Sequence, residues 1–389
     1  MDRLSSAYRR RPAEVDKFEK VRKLFPVTKR LVYFNHAAVS PLSSLAVKAL
    51  ERQVREQMEY GVEREHLWEE RAESGRRLAA GLLNAKPAEI AFVKNTTEGL
   101  NLFARGLDWR RGDNVVLPRV EFPANVYPWL SLESRGVNLK FIKERNGRLL
   151  VEDIEEAIDS RTRVVAISFV EFSSGYRNDL ERIGRLCRKR GVHLVVDGIQ
   201  GVGALGLDVK KCNLSALSAG GHKWLLSPQG TGIFYCPLNV MRKLDHPTPG
   251  WMSVVGWTDY YNFKYNLFKD SRRYESAQRN LLGLCGLTES LKLIDRLGIA
   301  NIEKRILGIT DHLCGLLEKK GFEVFSSRRD GEKSGIVSFF VRGRNPDRLR
   351  EALRRKGIIV SARDGRLRAS PHYYNSFEEV ERLVSALPS

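Results

Sequence analysis

Between about residue 90 and residue 240 the chain alternates short apolar, β-branched runs with stretches of helical spacing, and few folds accommodate that texture. The runs are Val115-Val116-Leu117, Leu139-Lys140-Phe141-Ile142, Val164-Val165-Ala166-Ile167, His193-Leu194-Val195-Val196 and Gly232-Ile233-Phe234-Tyr235. Between the third and fourth lies the amphipathic segment Leu180–Arg190. Apolar strands separated by helices predict an α/β domain built on a mainly parallel sheet covered on both faces. Ligands of such folds bind at the carboxyl ends of the strands. The residues that follow each run are therefore the ones to read for chemistry.

The flanks read differently. Residues 1–30 suggest an N-terminal arm or helix. Residues 31–279 suggest a large domain opening on the strand Leu31-Val32-Tyr33-Phe34, with a turn at Ser40-Pro41. Residues 280–389 suggest a smaller C-terminal α+β domain, with helices near 281–297, 301–320, 346–356 and 376–387 around a few short strands. Within 43–83, a long polar helical stretch, Val47, Leu50, Val54 and Met58 recur at helical spacing, and this stripe is expected to pack into the core.

Composition removes several classes. With 42% hydrophobic residues in 389, the chain can bury a sizeable core. No window nears the ~18 uninterrupted apolar residues of a membrane helix. The first residues are charged, without a signal-peptide core. A soluble, cytoplasmic protein with no membrane partner is expected. The five cysteines, Cys187, Cys212, Cys236, Cys285 and Cys314, are scattered, and no pair has CxxC spacing, so neither a zinc site, nor any other metal site, nor a disulfide framework is expected. The formal charge is +19, yet the 66 Lys and Arg residues are interspersed with 47 acids. The basic runs Tyr8-Arg9-Arg10-Arg11 and Arg188-Lys189-Arg190 read as an arm and a helix end. A generally cationic surface suited to small anions is expected rather than a nucleic-acid site.

Three elements carry chemistry. In Ser218-Ala219-Gly220-Gly221-His222-Lys223-Trp224, small residues let the backbone approach a ligand closely. A lysine set among Trp224, Leu225 and Leu226 is partly desolvated, which lowers its pKa and makes it a nucleophile toward a carbonyl. Ser218 and His222 could hydrogen-bond a phosphate. Upstream, His193-Leu194-Val195-Val196-Asp197 is an apolar strand ending in an acid. A carboxylate there can keep a pyridine nitrogen protonated, and Gln200 could reach the ring's phenolate oxygen. Taken alone, Asp197 could equally be a cap or turn residue. Third, Asn95-Thr96-Thr97-Glu98-Gly99-Leu100-Asn101 opens a helix. It is either a phosphate cradle or a plain capping box.

In this order, the three elements resemble the fold-type I enzymes that use pyridoxal 5′-phosphate (PLP). More narrowly they resemble the class V aminotransferase family, which includes cysteine desulfurases, isopenicillin N epimerase-like proteins and kynureninase. The resemblance implies that Lys223 is the Schiff-base lysine and catalytic base, that Asp197 pairs with the pyridinium, and that Gln200 faces the ring oxygen. It assigns Ser218, His222, Thr97 and the Thr96 backbone to the phosphate. Phe122, in Glu121-Phe122-Pro123-Ala124-Asn125, falls where the family stacks a residue on the ring, with Asn125 close by. An aromatic can stack but cannot move a proton. Arg368 matches the arginine that binds the substrate carboxylate, and Asn35 and His36 would face the substrate. A homodimer and an amino-acid substrate are implied.

Two departures matter. Gly365 runs almost directly into Arg368 without the loop cysteine on which desulfurases collect sulfur. Ala277 and Gln278 stand where the family often has Gly-Thr, so the contact to the neighbouring subunit's phosphate would fall to Gln278. The segment Glu121-Phe122-Pro123-Ala124-Asn125 and the missing loop cysteine favour, by resemblance, an isopenicillin N epimerase-like enzyme acting at Cα by transamination, epimerisation or elimination. The alternatives are a cysteine desulfurase or selenocysteine lyase and, in another class, a non-catalytic basic binding or regulatory protein. The G-x-G-x-x-G match at 201–206 lacks the helix that a dinucleotide site needs.

Overall fold

The computed structural model describes residues 12–388, so the basic run at 8–11 lies outside the described residues. Helices α1 (Pro12–Arg22), α2 (Ser44–Tyr60), α3 (Glu65–Leu83) and α4 (Thr96–Gly106) occupy the first part of the chain. The strands are β1 (Val32–Tyr33), β2 (Ile90–Val93), β3 (Asn114–Pro118), β4 (Asn138–Ile142), β5 (Thr162–Ser168), β6 (His193–Asp197), β7 (Ala216–Gly220), β8 (Gly232–Tyr235), β9 (Val337–Phe339), β10 (Ile358–Ile359), β11 (Ser361–Arg363) and β12 (Arg366–Ala369).

Seven of them form the central sheet in the order β2-β8-β7-β6-β5-β3-β4. From β7 to β4 every pair is parallel. Strand β8 runs antiparallel to β2 and β7, unlike the parallel placement expected for Gly232–Tyr235. A parallel return needs a crossover of a dozen or more residues, usually a helix. The link at 221–231 carries no helix, so the chain doubles back. One face of the sheet packs Val165, Ile167, Leu194 and Val196 against the helix Leu180–Arg190 and its neighbours. The other packs Val115, Val195 and Phe234 against Leu100 and Phe103 of α4. Both faces are covered, as an α/β fold requires.

The strand order reverses between β3 and β5, and the loops after those two strands part at that point. Such a switch point is where open α/β sheets place their ligands.

Beyond the central sheet, β9, β11 and β12 form an antiparallel three-stranded sheet. The first strand, β1, pairs in parallel with β10. Val32 and Phe34 accordingly share a core with Ile309, Leu313, Phe339, Leu367 and Leu383. The chain thus opens by crossing to the C-terminal unit before it enters the large sheet. The helix Leu281–Leu297 packs the other way: Leu284, Leu287 and Leu291 join the core that holds Ala72, Ala79 and Leu83 of α3.

Residues 43–83 do not form one helix. Gly61, at φ 54°, ends α2, and a short 3₁₀ turn leads into α3. Three of the four stripe residues expected in the core face outward, Val47 37%, Val54 50% and Met58 76% exposed, while Leu50 is half-buried toward Gly286. The buried face of α2 is the adjacent one, Ala46, Ala49 and Gln53. Its small residues let the helix Leu281–Leu297 come close, and Cys285 reaches the Ala49 carbonyl at 3.3 Å. Residues 201–206 form turns with no helix opening, which disposes of the dinucleotide motif. Among the described residues no helix is long and apolar enough to cross a membrane.

Candidate active site

A cavity of about 320 Å³ opens at the carboxyl ends of the parallel strands. Its walls come from the loop after β1, the start of α4, the loops after β3 and β5, the end of β6, the turn after β7, and β11 with β12.

Asp197 is the last residue of β6 and is 1% exposed. Its Oδ1 accepts a hydrogen bond from the Ile199 amide at 2.9 Å, while Oδ2 is buried without a partner. Burial raises its pKa to about 6, with the Ile199 amide and Lys223 opposing. A buried carboxylate with an empty lone-pair site is costly and calls for a donor. A protonated pyridine nitrogen is a donor of the right charge.

Lys223 follows β7 and is 7% exposed. Burial lowers its pKa to about 8, against the attraction of Asp197, and the neighbouring cations Arg368 and Arg363 lower it further. At neutral pH a useful fraction is therefore the free amine. Its backbone is pinned to the loop after β1: Ser40 Oγ donates to the Lys223 carbonyl at 2.5 Å, and the Ser40 amide donates to His222 O at 2.8 Å. The Lys223 Nζ stands 5.4 Å from the centre of the Phe122 ring.

Thr96 and Thr97 open α4 at the cavity edge. Asn95 caps the helix by accepting from the Glu98 amide at 2.9 Å, and Glu98 accepts back from the Lys94 amide at 2.5 Å. The capping reading is thus realised, and it leaves the amides of Thr96 and Thr97, which have no intrahelical acceptor, free for an anion. Thr96 Oγ1 accepts from the Gly220 amide at 2.9 Å and so ties α4 to the end of β7. Half-buried His222 lines the same edge, its pKa held below the usual imidazole range by burial and then by Lys223.

Ser218 does not join this group. It is fully buried one step deeper on the same face of β7, its hydroxyl lacks a hydrogen-bond partner, and a Cβ on Gly99 of α4 would come within 2.3 Å of it. Side chains two apart on a strand share a face, so Gly220 occupies the position beside Thr96 that Ser218 was expected to fill.

Arg368, on β12, is 1% exposed and held in place: Nε donates to Ser361 Oγ at 3.0 Å and Nη1 to the Phe172 carbonyl at 2.5 Å. Burial lowers its pKa only to about 10, so it stays charged at neutral pH. Phe172 itself lines the cavity, its ring edge-on to Phe122 with centroids 5.3 Å apart.

The remaining expected residues separate. Gln200 reaches the cavity, but its amide is largely committed, Nε2 donating to Ala37 O at 3.0 Å and Oε1 accepting from Trp224 Nε1 at 2.9 Å. His36 is fully buried away from the cavity between Ser370 O and the Tyr374 hydroxyl, and Asn35 bridges to Ser370. Ala37 and Ala38 form the wall instead. Asn125 sits behind Ala124 and accepts from Trp129 Nε1 at 3.2 Å. Gln278 is exposed and outside the cavity of its own chain.

Among the lining residues that the sequence reading did not single out, Phe172 and Arg363 bring an aromatic ring and a charge to the cavity. The signal for Phe172 was its place just after β5, at a strand's carboxyl end. The signal for Arg363 was its strand spacing from Ser361 and Arg368.

No thiol reaches this cavity. All five cysteines are buried, and burial pushes Cys187 and Cys212 up to about 12 and Cys314 to about 11. Between β11 and β12 there are only Asp364 (φ 47°) and Gly365 (φ 73°), a two-residue hairpin turn with both residues in the left-handed region. The hairpin has no loop on which a cysteine could travel.

Comparison with known proteins gives the family. Residues 32–383 match the family model for aminotransferase class-V. A probable cysteine desulfurase of Methanothermobacter thermautotrophicus is 30% identical over 392 residues, 95% of this chain and 97% of that protein. One from Pyrococcus abyssi is 30% identical over 390 residues, 95% and 96% of the two chains. The apo structure of a cysteine desulfurase from Thermococcus onnurineus superposes with a TM-score of 0.86 at 29% identity, covering 94% of this chain and 96% of that one.

Proposed function

The chain belongs to the aminotransferase class-V family, and from that premise we propose a PLP-dependent enzyme acting at Cα of an α-amino acid. The observation that carries the reading is the buried, unpartnered Asp197 Oδ2 in the same cavity as the desolvated Lys223 amine and the fixed Arg368 guanidinium. PLP bound there would supply the electron sink that makes bonds at Cα labile.

The protein's part follows from its side chains. Asp197 Oδ2 accepts the pyridine N–H. The Thr96 and Thr97 amides, the Thr97 hydroxyl and His222 hold the phosphate. Phe122 offers a ring face for stacking. Arg368 takes the α-carboxylate, bidentate by preference, and so fixes which bond at Cα is aligned for cleavage. Lys223 Nζ takes the proton from Cα and returns it. Phe122 and Phe172 have no proton to give, and Asp197 and His222 are committed to the pyridine nitrogen and the phosphate. Lys223 is therefore the principal proton carrier, which favours transamination or elimination over epimerisation, where a second proton donor is needed. The isopenicillin N epimerase-like label rests on the sequence resemblance alone.

A second reading is favoured by the relatives named as cysteine desulfurases. Sulfur would then leave to an external acceptor, because the hairpin at Asp364-Gly365 carries no thiol. The outward stripe Val47, Val54 and Met58 and the exposed Gln278 support a homodimer, which light scattering tests. For the reaction, the PLP-loaded protein is screened against amino acids by absorbance, and the products are identified. A keto acid with the cofactor left in its amine form marks transamination, pyruvate from cysteine with sulfide marks elimination, and alanine with sulfur passed on marks desulfuration. An unperturbed spectrum with every amino acid would reject the proposal.

A further inference from the structure

Strands β11 and β12 place three arginines on one face of the small sheet. Arg363 lies directly opposite Arg366, and Arg368 opposite Ser361. Cross-strand partners and residues two apart share a face. Two of the three are engaged. Arg366 ion-pairs with Asp364 at 3.4 Å, donates to Ser338 Oγ at 3.3 Å and lies 3.9 Å over the Phe325 ring. Arg368 is fixed by Ser361 and the Phe172 carbonyl, as above.

Arg363 differs. It lines the cavity and is exposed, and its recorded hydrogen bond goes only to the adjacent Ala362 carbonyl at 2.8 Å. Among the described residues it has no acidic partner. Asp364, the nearest in sequence, is turned to Arg366. The tight Asp364-Gly365 turn holds Arg363 on a short, rigid hairpin, and it is near enough to Lys223 and Arg368 to act on both electrostatically.

The charges in the cavity can be matched with the groups that would enter it. The α4 terminus takes the phosphate, Asp197 the pyridinium and Arg368 the α-carboxylate. Arg363 is left over, a cation at the mouth with nothing to neutralise it. Phe122 and Phe172 make the adjoining wall apolar, so an uncharged polar side chain would find few partners there. We infer that the substrate is an amino acid whose side chain ends in a second acidic group, a carboxylate or sulfonate, received by Arg363. This substrate class rests on the reading of the site as a PLP-dependent amino-acid enzyme.

The test is a spectral titration of the PLP-loaded, full-length protein with L-aspartate, L-glutamate and L-cysteate, each against a neutral counterpart: asparagine, glutamine and serine. The acidic member of at least one pair should bind about tenfold or more tighter, the size expected of a charge-assisted pair. Arg363→Gln should collapse that ratio toward one, and Arg363→Lys should keep part of it. Equal affinities within every pair would overturn the inference while leaving the PLP reading intact. So would a preference that survives Arg363→Gln. A spectrum that no amino acid changes, neutral or acidic, would reject the underlying function, and this substrate class with it. Circular dichroism and PLP content of the Gln variant separate a lost contact from a lost fold.

Discussion

The Lys223 amine lies 5.4 Å from the centre of the Phe122 ring, facing an apolar surface where an acid–base side chain could have stood. A cation over an aromatic face gains some attraction, yet burial dominates and brings Lys223 down to about 8. The lysine is poised to act as an amine, and the residue beside it cannot share the work.

Capture of PLP by the apo-protein should reflect this. The attacking species is the neutral amine, whose fraction rises with pH until the group is fully deprotonated. Stopped-flow absorbance should show a capture rate that climbs with pH and levels off above about 8. A rate still climbing toward the value of an ordinary lysine, about 10.4, would mean that Lys223 is not desolvated in solution.

Asp197 should make the apo-fold sensitive to pH. Its folded carboxyl is raised to about 6 from an ordinary 3.8. As pH rises from about 4, the unfolded chain ionises first, so stability falls until about pH 6 and stays lower above it. The loss is about 3 kcal/mol at most. Asp197→Asn removes that loss while its side-chain oxygen still accepts from Ile199. The apo-variant should therefore melt a few degrees above the parent at pH 7.5, with the gain shrinking toward pH 4.5 in scanning fluorimetry. The same variant should bind PLP more weakly.

The cysteines should be silent. Each is buried and uncharged at neutral pH, and the thiolate is the reactive form. Iodoacetamide should label none of them in the native PLP-loaded protein within the time that labels all five after denaturation. Incubation with cysteine should leave no persulfide on the chain by intact mass. A persulfide on any of the five would restore the sulfur-acceptor mechanism that the short hairpin argues against.

Much of this site was legible in the sequence because its key residues sit at element ends. Asp197 closes an apolar strand and Lys223 follows a run of small residues, and both positions are set by local pattern. Depth and direction were less legible. Ser218 and Gly220 share a strand face, and only the docking of α4 decides which lies at the surface of the cavity. His36 is polar and close in sequence to the wall residue Ala37, but the pairing of the β1 segment with the C-terminal unit turns its ring into a buried network with Tyr374. The reversal of β8 depended on a link too short to cross over. The stripe on α2 has true helical periodicity, and periodicity cannot say whether an apolar stripe turns toward the chain's own core or away from it.

The most direct test of the account is chemical mapping of the cofactor's anchor. The protein is loaded with PLP and treated with borohydride, which locks the cofactor onto the lysine that holds it, and is then digested and read by mass spectrometry. A pyridoxyl group on Lys223, absent from Lys223→Ala, is the predicted result. Labelling of another lysine at full stoichiometry, or none at all with Lys223 intact, would contradict it.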